Sequence, residues 1–329
     1  MIFKPYLKML DIYYGARCNL FCNQCDTRSD TIRDTTNDPD LETIFEGIRL
    51  AREKFEIELY SMIGGEPLYY LDKIDAILSY IRSLDPDTPI QFSTNGTLLS
   101  KRINEVSELL RKHKCSLFVC NHFSSFDASM SEKISNSVDE LVNQLGLKPG
   151  DANKFLYDFM KLDNPRNDPF FAKWIDINKD YSQGEQPNDL YYHDNEIFVH
   201  FRPQGEFKKN HYMKDGKPKP FQTGLPHLSY KQGCSSPMCS FLIDKKIYKC
   251  AALGTLKRLL EFHNSLDDPD WKKYLDYNYL DLENCTDGDV MKFHLSKFCA
   301  IAECDMCGTK YFNRSKEDVT NVQVIRMDL

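Results

Sequence analysis

Cys18, Cys22 and Cys25 stand in a C-x3-C-x2-C spacing near the start of the chain, and seven further cysteines lie within 234–307. Three thiolates on one short loop can hold three irons of a [4Fe–4S] cube and leave the fourth iron open. An open metal position turns a cluster from an electron carrier into a catalyst, the logic that also separates catalytic from structural zinc. A zinc site on the same loop would want a fourth ligand nearby, and the first 110 residues contain no other Cys or His.

Twelve cysteines in 329 residues would suggest disulfides in a small secreted chain. This chain is long enough to bury a core, and Met1-Ile2-Phe3-Lys4-Pro5 lacks the regions of a signal peptide. Metal binding in a reducing compartment is therefore the expectation, with a cytoplasmic location. Hydrophobic residues at 41% and charged residues at 28% exclude a disordered or fibrous chain. No apolar run approaches the roughly 18–20 residues that span a bilayer. The formal charge of −7 disfavours a nucleic-acid partner, because phosphate binding needs a basic face.

The elements that must position these cysteines alternate in type. Short apolar segments at 7–14, 57–63, 89–93 and 115–121 read as strands, and 41–55 and 74–84 carry apolar residues at helical spacing. Helices are also expected over 131–145 and 154–162, and a strand over 196–201. This alternation predicts an α/β fold with a parallel sheet or barrel, whose functional residues gather where strands end. The Lys-, Pro- and Gly-rich stretch 208–224 reads as a linker or loop. The expected division is a first domain over 1–205, a linker over 206–230 and a cysteine-rich domain over 231–329. Cys115 and Cys120, five apart on one strand, read as core residues.

The second strand ends in Gly64-Gly65-Glu66-Pro67 and the third in Ser93-Thr94-Asn95-Gly96. With the cysteine loop after the first strand, this order resembles the radical S-adenosylmethionine (SAM) enzymes over about residues 7–125. The resemblance implies a partial (β/α)6 TIM-like barrel. It implies that the open iron chelates the amino and carboxylate groups of SAM, and that Gly64, Gly65, Glu66 and Pro67 bind the amino group. Ser93 and Asn95 would lie near the ribose or carboxylate. Gln24 stands where the family has an aromatic residue near the adenine, so adenine packing would differ. Beyond the motifs, His122 just past the fourth strand and Arg202 are the candidates for substrate chemistry. His200 and Arg202 are candidates for contact with adenosine, a substrate anion or a substrate proton.

Residues 243–250, ending in Tyr248-Lys249-Cys250, are similar to the hairpin of the twitch and SPASM extensions of this superfamily, with Lys245 where glycine is usual. In those extensions a cysteine before the hairpin, the hairpin cysteine and a later C-x2-C pair ligate an auxiliary [4Fe–4S] cluster. The resemblance assigns Cys250, Cys304 and Cys307 to it, with Cys234, Cys239 or both completing the set. The full SPASM run of cysteines is absent, so a single-cluster twitch-type extension is expected. Cys285 and Cys299 are spare ligands, part of a second cluster, or buried apolar residues. A zinc ribbon is the rival for this domain.

Such extensions accept an electron from a substrate radical or orient the substrate. The expected activity is hydrogen abstraction from an unactivated C–H bond by a 5′-deoxyadenosyl radical, as a net oxidation. A small molecule is expected as substrate, because the chain starts close to its first strand without room for a leader-peptide module. Modification of a peptide or protein is the alternative. A flavodoxin-type reductase would supply electrons.

Overall fold

Strand and helix segments assemble into two compact units in a computed structural model, which describes residues 4–22, 25–29, 31–32, 35–124, 127–150, 190–194, 196–203, 210–231 and 234–308. One unit joins the two ends of the chain, Met1–Ile57 and Glu206–Leu329; the other is Glu58–Gly205. The fold is α/β in both. The expected helix over 154–162 and Gln24 lie outside the described residues. No helix among the described residues is long and apolar enough to cross a membrane.

In the Glu58–Gly205 unit, Tyr60–Ile63, Ile90–Thr94, Ser116–Asn121 and Phe198–Pro203 pair in that order, all parallel. Parallel neighbours need long crossovers. Helices Leu71–Leu84, Leu99–His113 and Ala128–Leu145 lie between these strands. The antiparallel strands Leu190–His193 and Lys148–Gly150 finish the edge. Helix Ala128–Leu145 starts where the Asp127 carboxylate accepts the Met130 N–H at 3.0 Å, three residues earlier than periodicity indicates. Parallel pairing brings Gly64-Gly65-Glu66 and Asn95-Gly96 out side by side at the carboxyl ends of adjacent strands.

In the other unit, Met9–Tyr13 runs parallel to Cys239–Ile243, which turns back through Lys246–Tyr248 and on to Leu280–Asp281. Asp244 and Lys245 both take left-handed backbone, at φ 51° and 60°, as a two-residue hairpin turn of the primed type requires. Glycine would meet that demand without side-chain crowding, and Lys245 instead meets it while donating to Glu283 at 2.5 Å. Helix Leu41–Lys54 begins under an Asp40 cap and lays Gly47 against Leu242. The stretch expected as a linker carries a hairpin, Tyr212–Lys214 with Lys217–Lys219. Trp271, wholly buried, donates to the Pro218 carbonyl at 2.9 Å, and Lys219 pairs with Asp268 and Asp270. An apolar cluster of Leu256, Leu260, Trp271, Tyr274, Tyr277 and Met306 supports Cys250 and Cys307.

Gly96, at φ +77°, has the Ile134 and Val119 side chains 2.6 and 2.9 Å from the place a Cβ would occupy. Gly146 shares the positive φ, at +73°, but has open space around it. Gly146→Ala is therefore expected to cost about 1–2 kcal/mol of unfolding free energy from backbone strain alone. Gly96→Ala should cost about 1–3 kcal/mol more, because it adds overpacking to the same strain. Denaturant unfolding of both variants checks this, and equal losses would contradict the packing account.

Candidate active site and cysteine centres

The first cysteine loop leaves the buried strand Met9–Tyr13 through Tyr14 and Gly15, and the Asp38 carboxylate accepts the Ala16 N–H at 2.9 Å. The Leu20 N–H points at Cys18 Sγ, 3.4 Å away, and the Cys25 N–H returns to the Cys22 carbonyl at 3.1 Å. Cys25 Sγ lies 3.4 Å from Thr27 Oγ1, which lies 3.1 Å from Ser29 Oγ. An amide donor on a thiolate is one of the contacts that tune an iron–sulfur site.

Arg28, wholly buried and at φ 62°, fastens the loop's far side. Its guanidinium donates to Asn210 Oδ1 and to His211 Nδ1, the latter at 3.1 Å. Burial, then the Arg28 and His263 charges, push the His211 imidazole down to about 3. It is neutral at ordinary pH, so its Nδ1 accepts from Arg28. The sequence reading did not single out these three residues; a basic residue three places past the third cysteine was the available signal. Beside the loop, Thr255 Oγ1 lies 3.5 Å from the Asp26 carbonyl while its hydroxyl donates to the Ala251 carbonyl at 2.8 Å. Thr255 follows Cys250 by five residues, so the loop and the C-terminal cysteines belong to one unit.

Cys234, Cys304 and Cys307 are near enough to Cys250 for their charges to act on its thiol. Burial, then the charges of Cys234, Cys307 and Cys304, push the Cys250 thiol well up. The C-x2-C pair is held between its members, where the Asp305 carboxylate accepts Tyr274 Oη at 2.7 Å and Lys273 Nζ at 2.8 Å. Ser229 Oγ donates to the Cys307 carbonyl at 2.8 Å. Burial, then the Asp11 carboxylate, push the Cys239 thiol well up. Cys299 is exposed, and Cys285 lines a separate cavity of about 330 Å³ with Tyr279, Asp281, Lys292 and Glu303.

These donor sets consist of thiols, with an amide donor on one and an apolar wall behind the other, which fits iron–sulfur ligation. Among the described residues, no three His, Cys, Asp or Glu side chains close on a point as a lone metal ion requires. A cube puts each thiolate on its own iron and so spaces its ligands more widely than a lone ion does.

In the Glu58–Gly205 unit the Glu66 carboxylate is 1% exposed. It accepts Thr94 Oγ1 at 2.6 Å, the Asn95 N–H at 2.8 Å and the Leu68 N–H at 3.2 Å. Three of about four acceptor positions are thus used in tying one strand end to the next. Asn95 in turn accepts from the Thr97 N–H and hydroxyl. Neither Gly64 nor Gly65 has positive φ, so their contribution is the absent side chain. Ser93 is exposed whereas Thr94 is buried, so Thr94 is the residue of this motif that reaches Glu66. Strand alternation, with Ile90, Phe92 and Thr94 on one face, carried that signal.

Residues 12–137 match the family model described as the radical SAM superfamily. Over that segment the chain is similar to the radical SAM superfamily. No curated protein matches it. Among solved structures it is similar to that of SuiB from Streptococcus suis bound to the precursor peptide SuiA. That likeness has 15% sequence identity and a TM-score of 0.37, and covers 83% of this chain and 67% of that one.

The remaining candidates sit along two paired strands. His122, buried, follows Ser116–Asn121 in a turn where Asn121 Oδ1 accepts the Phe123 N–H at 3.0 Å. Arg202, half-buried, lies opposite Cys120. The His200 ring stacks on Tyr191 at 4.2 Å and meets Phe118 edge-on at 5.0 Å, as a packing residue does. Pro67 is buried at the start of a helical turn capped by Glu66.

Burial pushes the Glu66 carboxyl from an ordinary 4.5 up to about 7, against the opposing pull of its three hydrogen bonds. The folded state therefore holds a proton that the unfolded chain has released over that interval. The stabilisation is present below pH 4.5 and is lost as pH rises to about 7. Thermal unfolding against pH should show wild type losing stability relative to Glu66→Gln across this window and a constant gap above it. A gap independent of pH throughout would contradict the assignment.

Proposed function

We propose that this chain is a radical SAM oxidoreductase in which Cys18, Cys22 and Cys25 hold a [4Fe–4S] cluster with one open iron for SAM. The observation that carries this reading is the family match over 12–137, which takes in the cysteine loop, Gly64-Gly65-Glu66-Pro67 and Ser93-Thr94-Asn95-Gly96 in the family's order. The parallel strands of the Glu58–Gly205 unit support a partial (β/α)6 TIM-like barrel as the architecture. When bound, cluster and SAM supply a 5′-deoxyadenosyl radical that removes hydrogen from an unactivated C–H bond, while the protein positions the reactants and excludes water. The glycines before Glu66 let backbone come close to the SAM amino group. The Glu66 lock holds that backbone against the turn after Thr94, with Asn95 near the ribose or carboxylate.

Cys234, Cys250, Cys304 and Cys307 are assigned to one auxiliary [4Fe–4S] cluster in a twitch-type extension. That the charges of Cys234, Cys304 and Cys307, and not that of Cys239, act on Cys250 supports that choice. Held there, such a cluster would accept one electron from the substrate radical, which together with the hydrogen atom already removed gives a net two-electron oxidation; the electron that cleaves SAM would come from a flavodoxin-type donor. The net charge of −7 favours a small molecule over a nucleic acid as substrate. A reducing, cytoplasmic setting, where close-spaced cysteines bind metal, belongs to this reading.

The test is iron and sulfide content of anaerobically reconstituted protein beside a Cys18/Cys22/Cys25→Ala variant, with dithionite-driven formation of 5′-deoxyadenosine in both. Wild type should hold about eight irons and the variant about four, as one cube is lost. Nucleoside should form only from wild type. Iron content unchanged by the triple substitution, or nucleoside formed without these cysteines, would overturn the reading.

A further inference from the structure

Helix Asp287–Ser296, strand Leu280–Asp281 and the turn at Ile301 to Glu303 border the cavity of about 330 Å³, and all of them belong to the unit that joins the two ends of the chain. That volume falls in the range of small-molecule pockets. Its apolar lining is the rings of Tyr277, Tyr279 and Phe293, with Leu280 and Ile301. The two tyrosines are held from behind. Tyr277 Oη accepts the Lys249 N–H at 3.1 Å, and the Tyr248 ring lies 6.2 Å from that of Tyr277 and 5.2 Å from that of Tyr279. Walls already fixed in this way need little ordering to receive a ligand.

The polar lining carries three carboxylates, Asp281, Asp289 and Glu303, against one lysine, Lys292. Two of the carboxylates are engaged by the chain itself. Asp281 accepts from Asn284 Nδ2 at 3.0 Å and from the Glu283 N–H at 3.1 Å. Asp289 accepts the Thr286 N–H at 2.9 Å and the Thr286 hydroxyl at 2.7 Å. Glu303 differs: it is half-buried, and among the described residues its carboxylate has no hydrogen bond or ion pair. A carboxylate drawn partly out of water and left unpartnered is stabilised by an incoming cation. Lys292 is exposed, so solvent and salt screen its charge. An anionic ligand would meet three carboxylates, and a neutral one would leave Glu303 unpaired. A charge-assisted hydrogen bond to Glu303 with an apolar body against the rings satisfies both linings.

We propose that this cavity binds a small organic amine, whose ammonium group pairs with Glu303 and whose apolar body lies against Tyr277, Tyr279 and Phe293. None of the lining residues belongs to the first cysteine loop or to the strand-end motifs, so the inference goes beyond the activity proposed above and stands without it. The test is calorimetric titration of the full chain with 2-phenylethylamine and with 3-phenylpropionate, which share a ring and differ in the sign of their charge. The amine should bind and the acid should not. Glu303→Gln should weaken binding of the amine about tenfold or more, the loss of one charge-assisted hydrogen bond. Asn278→Trp, made at an exposed residue of the lining, should fill the cavity and abolish binding while leaving Glu303 in place. If Glu303→Gln fails to fold, the Asn278→Trp titration decides. No binding of the amine at millimolar concentration would overturn the inference. So would equal affinity for the acid, or amine binding unchanged by Asn278→Trp or by a folded Glu303→Gln.

Discussion

The parallel pairing of Met9–Tyr13 with Cys239–Ile243 is the constraint on which both cysteine centres depend. It joins segments more than two hundred residues apart, with Cys239 opposite Met9 and Leu242 opposite Ile12. The first strand must end where it does for the cysteine loop to begin at its carboxyl end. The second must start the hairpin that ends at Cys250. Because a strand's side chains alternate with period two, a slip of one residue would send Leu10 and Ile12 to the wrong face. Arg28 then ties the loop to Asn210 and His211 of the same unit.

Buried charge is a recurring device in this scaffold. Glu66, Arg28 and Lys249 are each almost wholly inaccessible, and each is held chiefly by neutral groups, whether hydroxyls, amides, carbonyls or a neutral imidazole. Leaving any one of these polar groups without partners would cost several kcal/mol, so each ionisable group selects a single local arrangement. Glu66 selects how two strand ends meet, Arg28 how the loop after Cys25 turns, and Lys249 how the turn from Ser296 to Cys299 sits.

Much of the fold was legible because short-range signals agree. Apolar runs ending at Gly15, Gly64 and Gly96 mark strand ends, and helices such as Leu41–Lys54 carry their caps in the sequence. The motif order pointed to the superfamily. What could not be read was long-range. Nothing local in Asp26-Thr27-Arg28 shows that Arg28 meets Asn210 and His211, 182 and 183 residues away. The choice between Cys234 and Cys239 likewise depends on which side of a strand start faces Cys250. Composition misled over 208–224: lysines and prolines suggested a loop, but Pro218 and Lys219 anchor a hairpin to Trp271 and Asp268. Thr94 was hidden because motif matching draws attention to Ser93 and Asn95, whereas alternation along the strand places Thr94 inward.

The central claim is that the cysteine loop carries a cluster with an open iron that SAM occupies. Electron paramagnetic resonance of the reduced protein, with Cys250, Cys304 and Cys307 replaced by alanine, isolates that cluster. Titration with SAM should change the g-values of the reduced [4Fe–4S] signal as amino and carboxylate groups enter the open position. A loaded cluster whose spectrum is unmoved by saturating SAM would contradict the account.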